Sequence, residues 1–228
     1  EKATLAGFGA ADGEPEDECV ISRTNAGLIR WASDNPESLV HFAGTVERES
    51  FSPRNRYRFQ QIEDLYAISV GRPQDVRTPH LRMFRSWGEV EMVVNEGADP
   101  EIASSAGLVN FYGPAIHAVL ADLEERSVGS GAADIHLSTA HSSKGLEWDK
   151  TLMLSGFLDI SNSEKLAKAR KDGSYDGETN LLYVAATRSK KRVKVCPEIA
   201  KHLEFTSRGR DILRRLSQGS RKALQPLI

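Results

Sequence analysis

The stretch "IHLSTAHSSKGLEWDKTLMLSGF", Ile135 to Phe157, holds two apolar runs around a polar loop. Ile135–Ala140 and Lys150–Phe157 are short, mostly apolar and bounded by turn formers, so both read as strands. Between them, "HSSKGLEWD" carries an imidazole, a lysine, a glycine and a carboxylate beside a tryptophan. Two strands joined by a polar, glycine-bearing loop commonly face a ligand. Whether this loop is catalytic, ligand-binding or a plain connection depends on what surrounds it.

Toward the start of the chain, Cys19–Ser22 reads as a strand, followed by Arg23, Thr24 and Asn25 and a helical run over Ala26–Ala32 capped by Thr24 or Asn25. Ser38–Gly44 is a second short strand ended by glycine. Strand, helix, strand at this spacing is the rhythm of a parallel α/β unit. Arg58–Ser69 places Phe59, Ile62, Leu65 and Tyr66 on one helical face, with Ile68 at its edge. The stretch from Pro79 to Pro100 is rich in turn formers and weakly periodic. Ala106–Glu125 is mostly helical, with Pro114 at a helix start or kink. Ser127–Asp134 is a flexible linker. Beyond the central loop, Ser161–Gly177 is polar and mobile or only partly helical. Glu178–Lys191 is a helix with Leu181, Leu182, Ala185 and Ala186 inward, and "RVKVC" is a closing strand. Helical character is expected around "GRDILRRLSQGSRKALQ".

The economical architecture is one α/β domain built from two segments, 1–71 and 133–197. Residues 72–132 form a mainly helical insertion packed on it, and 198–228 a basic tail.

The 228 residues suffice for one good core with a smaller satellite. No apolar run approaches the roughly 18 residues that span a bilayer, and the acidic, glycine-rich opening lacks the features of a secretory signal. The chain opens on Glu1 rather than methionine, which points to a piece of a longer or processed protein. Cys19 and Cys196 share no metal spacing and read as reduced core cysteines. Net charge is only -2, yet residues 188–228 hold twelve Lys and Arg against three acids. That excess attracts polyanions or simply solvates a tail.

Three runs now carry a resemblance. "VISRTNAGL" (Val20–Leu28), "TAHSSKGLEWDK" (Thr139–Lys150) and "NLLYVAATRSKKRV" (Asn180–Val193) look like successive signatures of superfamily 1 DNA helicases of the UvrD/Rep/PcrA type, in the expected order. The tryptophan in "GLEWD" and the wording "NLLYVA" are closest to the F-box DNA helicase branch. The resemblance implies a RecA-like parallel-sheet domain, the second of two motor domains, with a reduced accessory insertion. It implies that ATP binds between this domain and an N-terminal RecA-like partner domain of the same parent. Magnesium would be held mainly by that partner. No "GxxxxGK[ST]" phosphate loop occurs in the sequence, so the chain has none of its own. The other partners implied are single-stranded or partly duplex DNA, tracked with 3′-to-5′ polarity, and no membrane. The implied location is cytoplasmic: at the nucleoid in a bacterium, in the nucleus of a eukaryote.

The resemblance also assigns residues. Arg188, in "ATRS", matches the arginine that reaches the γ-phosphate and acts catalytically as a finger; without the resemblance it reads as a surface arginine opposing a helix dipole. Glu147 matches a nucleotide contact near the ribose or phosphates, or caps a helix. Gly145 admits close backbone approach, and Lys144 touches phosphate or is merely solvated. Thr139 and His141 match the DNA-facing start of the same loop. Arg23, Thr24 and Asn25 border the single-strand path, although Thr24 equally serves as a cap. Tyr183 and Trp148 read as packing residues. No cluster has metal-ligand spacing. The rival reading is a degenerate helicase-like binding module without ATPase activity.

Overall fold

The computed structural model describes residues 18–43, 53–97, 99–157, 163–171, 173–196 and 199, and the backbone alone over 53–58, 163–166 and 223–226. Its strands are β1 (Cys19–Ser22), β2 (Val40–Phe42), β3 (Ile135–Thr139), β4 (Trp148–Met153), β5 (Ser189–Val195) and β6 (Ala223–Pro226). They form one sheet in the order β2-β3-β1-β4-β5-β6, and every neighbouring pair is parallel. The helices are α1 (Asn25–Asp34), α2 (Pro53–Ser69), α3 (Trp87–Glu96), α4 (Pro100–Tyr112), α5 (Ile116–Glu125), α6 (Ser163–Lys171) and α7 (Ser174–Ala186). This is the RecA-like α/β arrangement with helical insertions that the resemblance implies.

A parallel sheet covered on both faces needs apolar side chains on both. The strand period of two divides them. Val20, Leu137 and Leu152 enter one core with Leu28 and Ile29 of α1, Ile62 and Leu65 of α2, and residues of α4 and α5. Cys19, Ile21, Met153, Val193 and Val195 enter the other, against Leu181, Leu182, Ala185 and Ala186 of α7. Each fully buried Leu or Ile contributes about 1.5–3 kcal/mol relative to exposure.

The helices of 72–132 share the first core with α1 and α2, so this region packs on the sheet domain itself. The break at Pro114 is a single 3-10 turn, Gly113–Ala115, between α4 and α5. α4 begins where Asp99 accepts hydrogen bonds from the N–H groups of Glu101 and Ile102, with Pro100 in its first turn.

Several elements depart from the sequence reading: the turn-rich, weakly periodic stretch Pro79–Pro100 contains helix α3, and the strand expected over Lys150–Phe157 runs instead over Trp148–Met153. The run Ser161–Gly177 contains α6 and the start of α7. The helix expected over Glu178–Lys191 ends at Ala186, because Trp148 N–H donates to Arg188 O at 3.0 Å and draws Ser189 onward into β5. At the far end of the tail, residues 223–226 are strand, pairing with Arg192–Val195, where helical character was expected. The rest of that stretch and the acidic opening lie outside the described residues.

Arg126 ties the insertion to the sheet. Its Nη1 donates to Ser38 O at 2.7 Å and its Nη2 to Ala32 O at 3.1 Å, while Nε and Nη2 hold Asp122 at 2.9 and 2.7 Å. The guanidinium thus satisfies carbonyls at the end of α1 and before β2. Arg126→Ala strands these acceptors in a half-buried site and is expected to lower the unfolding free energy by about 2 kcal/mol in urea denaturation. An unchanged midpoint would mean that 72–132 is not braced on the sheet through this contact.

Candidate functional site

Because the strands are parallel, they all begin at one edge of the sheet and end at the other. The expected site residues divide between these edges. The connection from β3 to β4 is the loop 140–147, which carries no helix. It starts at the edge where β3 ends and must return about 20 Å, the rise of six-residue β4, to the opposite edge.

At the strand-end edge, Arg23 follows β1 and forms an ion pair with Glu178 of α7. Its Nε lies 3.1 Å from both carboxylate oxygens and its Nη2 2.7 Å from one. Thr24 is buried and caps α1, its hydroxyl accepting from Gly27 N–H at 3.2 Å. The N–H of Asn25 donates to both carboxylate oxygens of Glu101, at 3.0 and 3.1 Å. An insertion carboxylate therefore occupies the positive end of α1, where the helix dipole favours an anion. Asn25 Oδ1 is buried and has no hydrogen-bond partner among the described residues.

The loop starts at this edge too. Ala140 N–H donates to Ser22 O at 2.9 Å, pinning the loop against β1. Thr139 is buried; its hydroxyl donates to Ser142 Oγ at 3.0 Å and accepts from Ser142 N–H at 3.2 Å. This hydroxyl holds the turn that presents His141. His141 is exposed. Lost hydration on its inner side holds its imidazole below the usual histidine pKa, and the Arg23 and Lys144 cations lower it further, while Glu178 opposes them. The charges of Arg23 and Lys144 therefore both reach His141.

At the strand-start edge, the loop ends beside Arg188. This residue sits in the two-residue turn between α7 and β5. Its Nε donates to Val184 O at 2.9 Å, Nη1 to Leu146 O at 3.2 Å and Nη2 to Thr187 Oγ1 at 3.0 Å. All three acceptors are neutral, and among the described residues no carboxylate pairs with it. Leu146 lies between the two expected nucleotide contacts, Gly145 and Glu147, and both of these are exposed. Gly145 has φ +82, and a Cβ added there would meet only open space. Glycine is therefore needed for its left-handed backbone rather than for room. Exposed backbone, a carboxylate and a guanidinium held by neutral acceptors fit the phosphates and ribose of a nucleotide. Nearby, the exposed pair Asp149–Lys191 at 2.5 Å adds charge to the same edge; the hydrogen bond from Lys191 holds the Asp149 carboxyl below its usual pKa. Trp148 and Tyr183 pack against the second core.

Residues 45–196, more than half of the chain, match the model of the UvrD-like helicase C-terminal domain. The chain belongs to that family. F-box DNA helicase protein 1 of Schizosaccharomyces pombe is 35% identical over 193 residues, 80% of this chain and 21% of that protein. F-box DNA helicase 1 of Gallus gallus is 32% identical over 152 residues, 60% of this chain and 15% of that protein. The chain spans about a fifth or less of these curated relatives. No solved structure matches it.

In this UvrD-like C-terminal domain, no group of three or more His, Cys, Asp or Glu that could hold a metal ion occurs among the described residues. Nor is any helix there long and apolar enough to cross a membrane. Sequence reasoning missed Glu178 and Glu101, the two carboxylates that engage the "RTN" run. Glu178 stands within "GETNLLYVAATR", where an acid early in a helix reads only as a complement to the dipole. Glu101 lies 76 residues from its partner, with no local signal.

An NMR titration is expected to place the His141 pKa below the ordinary histidine value, and Glu178→Gln to lower it further by removing the one opposing charge. A value at or above the ordinary one would contradict this geometry.

Proposed function

We propose that this domain is the second motor domain of an ATP-dependent DNA helicase moving 3′-to-5′ on single-stranded DNA. Its family and its relatives place it in a helicase lineage. The observation that carries the finer reading is Arg188, whose guanidinium lies on the Leu146 carbonyl beside Glu147 and has only neutral acceptors among the described residues. A phosphate oxygen is a stronger acceptor than a carbonyl, because a charge-assisted hydrogen bond is about twice as strong as a neutral one. When an N-terminal RecA-like domain brings ATP and its Mg²⁺ to this edge, Arg188 leaves the carbonyls and grips the γ-phosphate. As water attacks the γ-phosphorus and the bond to the bridging oxygen breaks, the guanidinium offsets the charge on the transferred group. Glu147 accepts from the ribose hydroxyls or lies by the phosphates, Gly145 lets backbone approach, and Lys144 adds positive charge between the two edges.

The strand-end edge is the DNA face. His141 and Arg23 meet backbone phosphates or bases, Thr139 holds the turn that presents His141, and Thr24 and Asn25 shape the start of α1 beneath the strand. The segments 1–71 and 133–197, with the edge strand at 223–226, make the motor domain, 72–132 stands for the accessory subdomain, and the basic stretch 198–228 adds attraction for polyanions. The protein works where DNA is, at the nucleoid or in the nucleus. By itself the chain has no phosphate loop and turns over no ATP at a motor-like rate.

In a protein that joins this domain to a phosphate-loop domain, Arg188→Ala is expected to reduce kcat of DNA-stimulated ATP hydrolysis by about 10³-fold or more, with single-strand affinity unchanged. Arg188→Lys is not expected to restore it, because lysine lacks the planar fork. Unchanged turnover in Arg188→Ala would refute the finger and favour the degenerate binding module.

A further inference from the structure

The two arginines of the site are held differently. Arg188 rests on neutral oxygens. Arg23 is gripped by a carboxylate in fork geometry, with three contacts of 2.7–3.1 Å. Their side chains are 17% and 21% exposed, so the pair is partly removed from water and is stronger than a fully exposed one. A phosphodiester presents two anionic oxygens in the same fork arrangement as a carboxylate. It would therefore compete for the same guanidinium. The charges acting on His141 are the two cations of Arg23 and Lys144 and the single carboxylate of Glu178. Glu178 thus sets both the reach of Arg23 and the local potential at the edge where the loop begins.

We propose that Glu178 is an intramolecular competitor for the nucleic-acid strand: its carboxylate holds Arg23 closed until a phosphate of single-stranded DNA takes the guanidinium in its place. This rests on the reading of the strand-end edge as the DNA face. The exchange replaces one anion by another at Arg23 and breaks no covalent bond. Binding then costs the opening of one ion pair, which lowers affinity for weak or fleeting contacts and leaves Glu178 exposed near the phosphate once the strand is bound.

The test is fluorescence anisotropy of the full 228-residue chain with a labelled oligo(dT), repeated across a salt series. Glu178→Gln, which keeps the shape and removes the charge, is expected to tighten binding several-fold at low salt. The slope of log K against log[salt] should not gain the roughly 0.7 of a further phosphate contact, because the unaltered chain makes the same Arg23–phosphate contact once the strand is bound. The gain should vanish in an Arg23→Gln background, and Glu178→Asp, which keeps the charge, should bind like the unaltered chain. Unchanged or weaker binding, a slope steeper by about 0.7 (a phosphate contact the unaltered chain never makes), or a gain that persists without Arg23 would overturn the proposal. Should Glu178→Gln fail to fold, the Arg23 Nε–H resonance of the unaltered chain decides: it must move on oligo(dT) addition, and a fixed resonance overturns the exchange. If neither the unaltered chain nor Glu178→Gln binds oligo(dT), the DNA-face reading itself fails.

Discussion

A parallel sheet imposes a transport problem on its chain. Every strand ends at the edge opposite to the one where the next must begin, so each connection runs the length of the sheet. Most parallel strands solve this with a helix. Between β3 and β4 the chain does it with eight residues, 140–147, and no helix. Nine Cα–Cα steps reach about 30 Å at most, against a return of about 20 Å along β4, so the loop has little slack. It is fixed to Ser22 O at its start and receives the Arg188 guanidinium on Leu146 O near its end. Its two halves therefore lie at opposite edges, each with its own polar cluster.

α7 runs beside this loop in the same span. Glu178 near its start holds Arg23, and Arg188 just past its end holds Leu146. From Glu178 to the end of α7 at Ala186 is eight helical steps, about 12 Å. A change at either edge thus meets two connectors to the other, a packed helix and a short loop. Physical connection of this kind is the precondition for coupling; a demonstrated coupling also requires that each ligand alter the affinity for the other.

The sheet was legible because its strands are short apolar runs whose residues enter two cores. Cys19–Ser22 is buried at all four positions and reads as a parallel strand from its sequence alone. The apolar face of α2, with Phe59, Ile62 and Leu65 buried, was equally plain. Less legible was whatever depends on pairing between distant residues. β5 captures Ser189 through Trp148, which truncates a helix that periodicity alone extends to Lys191. The strand at 223–226 exists through Arg192–Val195, its partner, and its own residues give little sign of it. In the candidate site, the loop residues could be listed from sequence, but their separation onto two edges could not. Nor could the anions opposite them, since Glu101 and Glu178 lie 76 and 155 residues from the groups they hold.

The central claim is that one short loop presents nucleic acid with its start and nucleotide with its end. Hydrogen exchange read by mass spectrometry, with and without oligo(dT), tests it most directly on the chain itself. The account predicts that the oligonucleotide slows exchange in segments 22–25 and 139–144 and leaves 186–190 unchanged. Protection centred on 186–190, with the loop start unaffected, would contradict it.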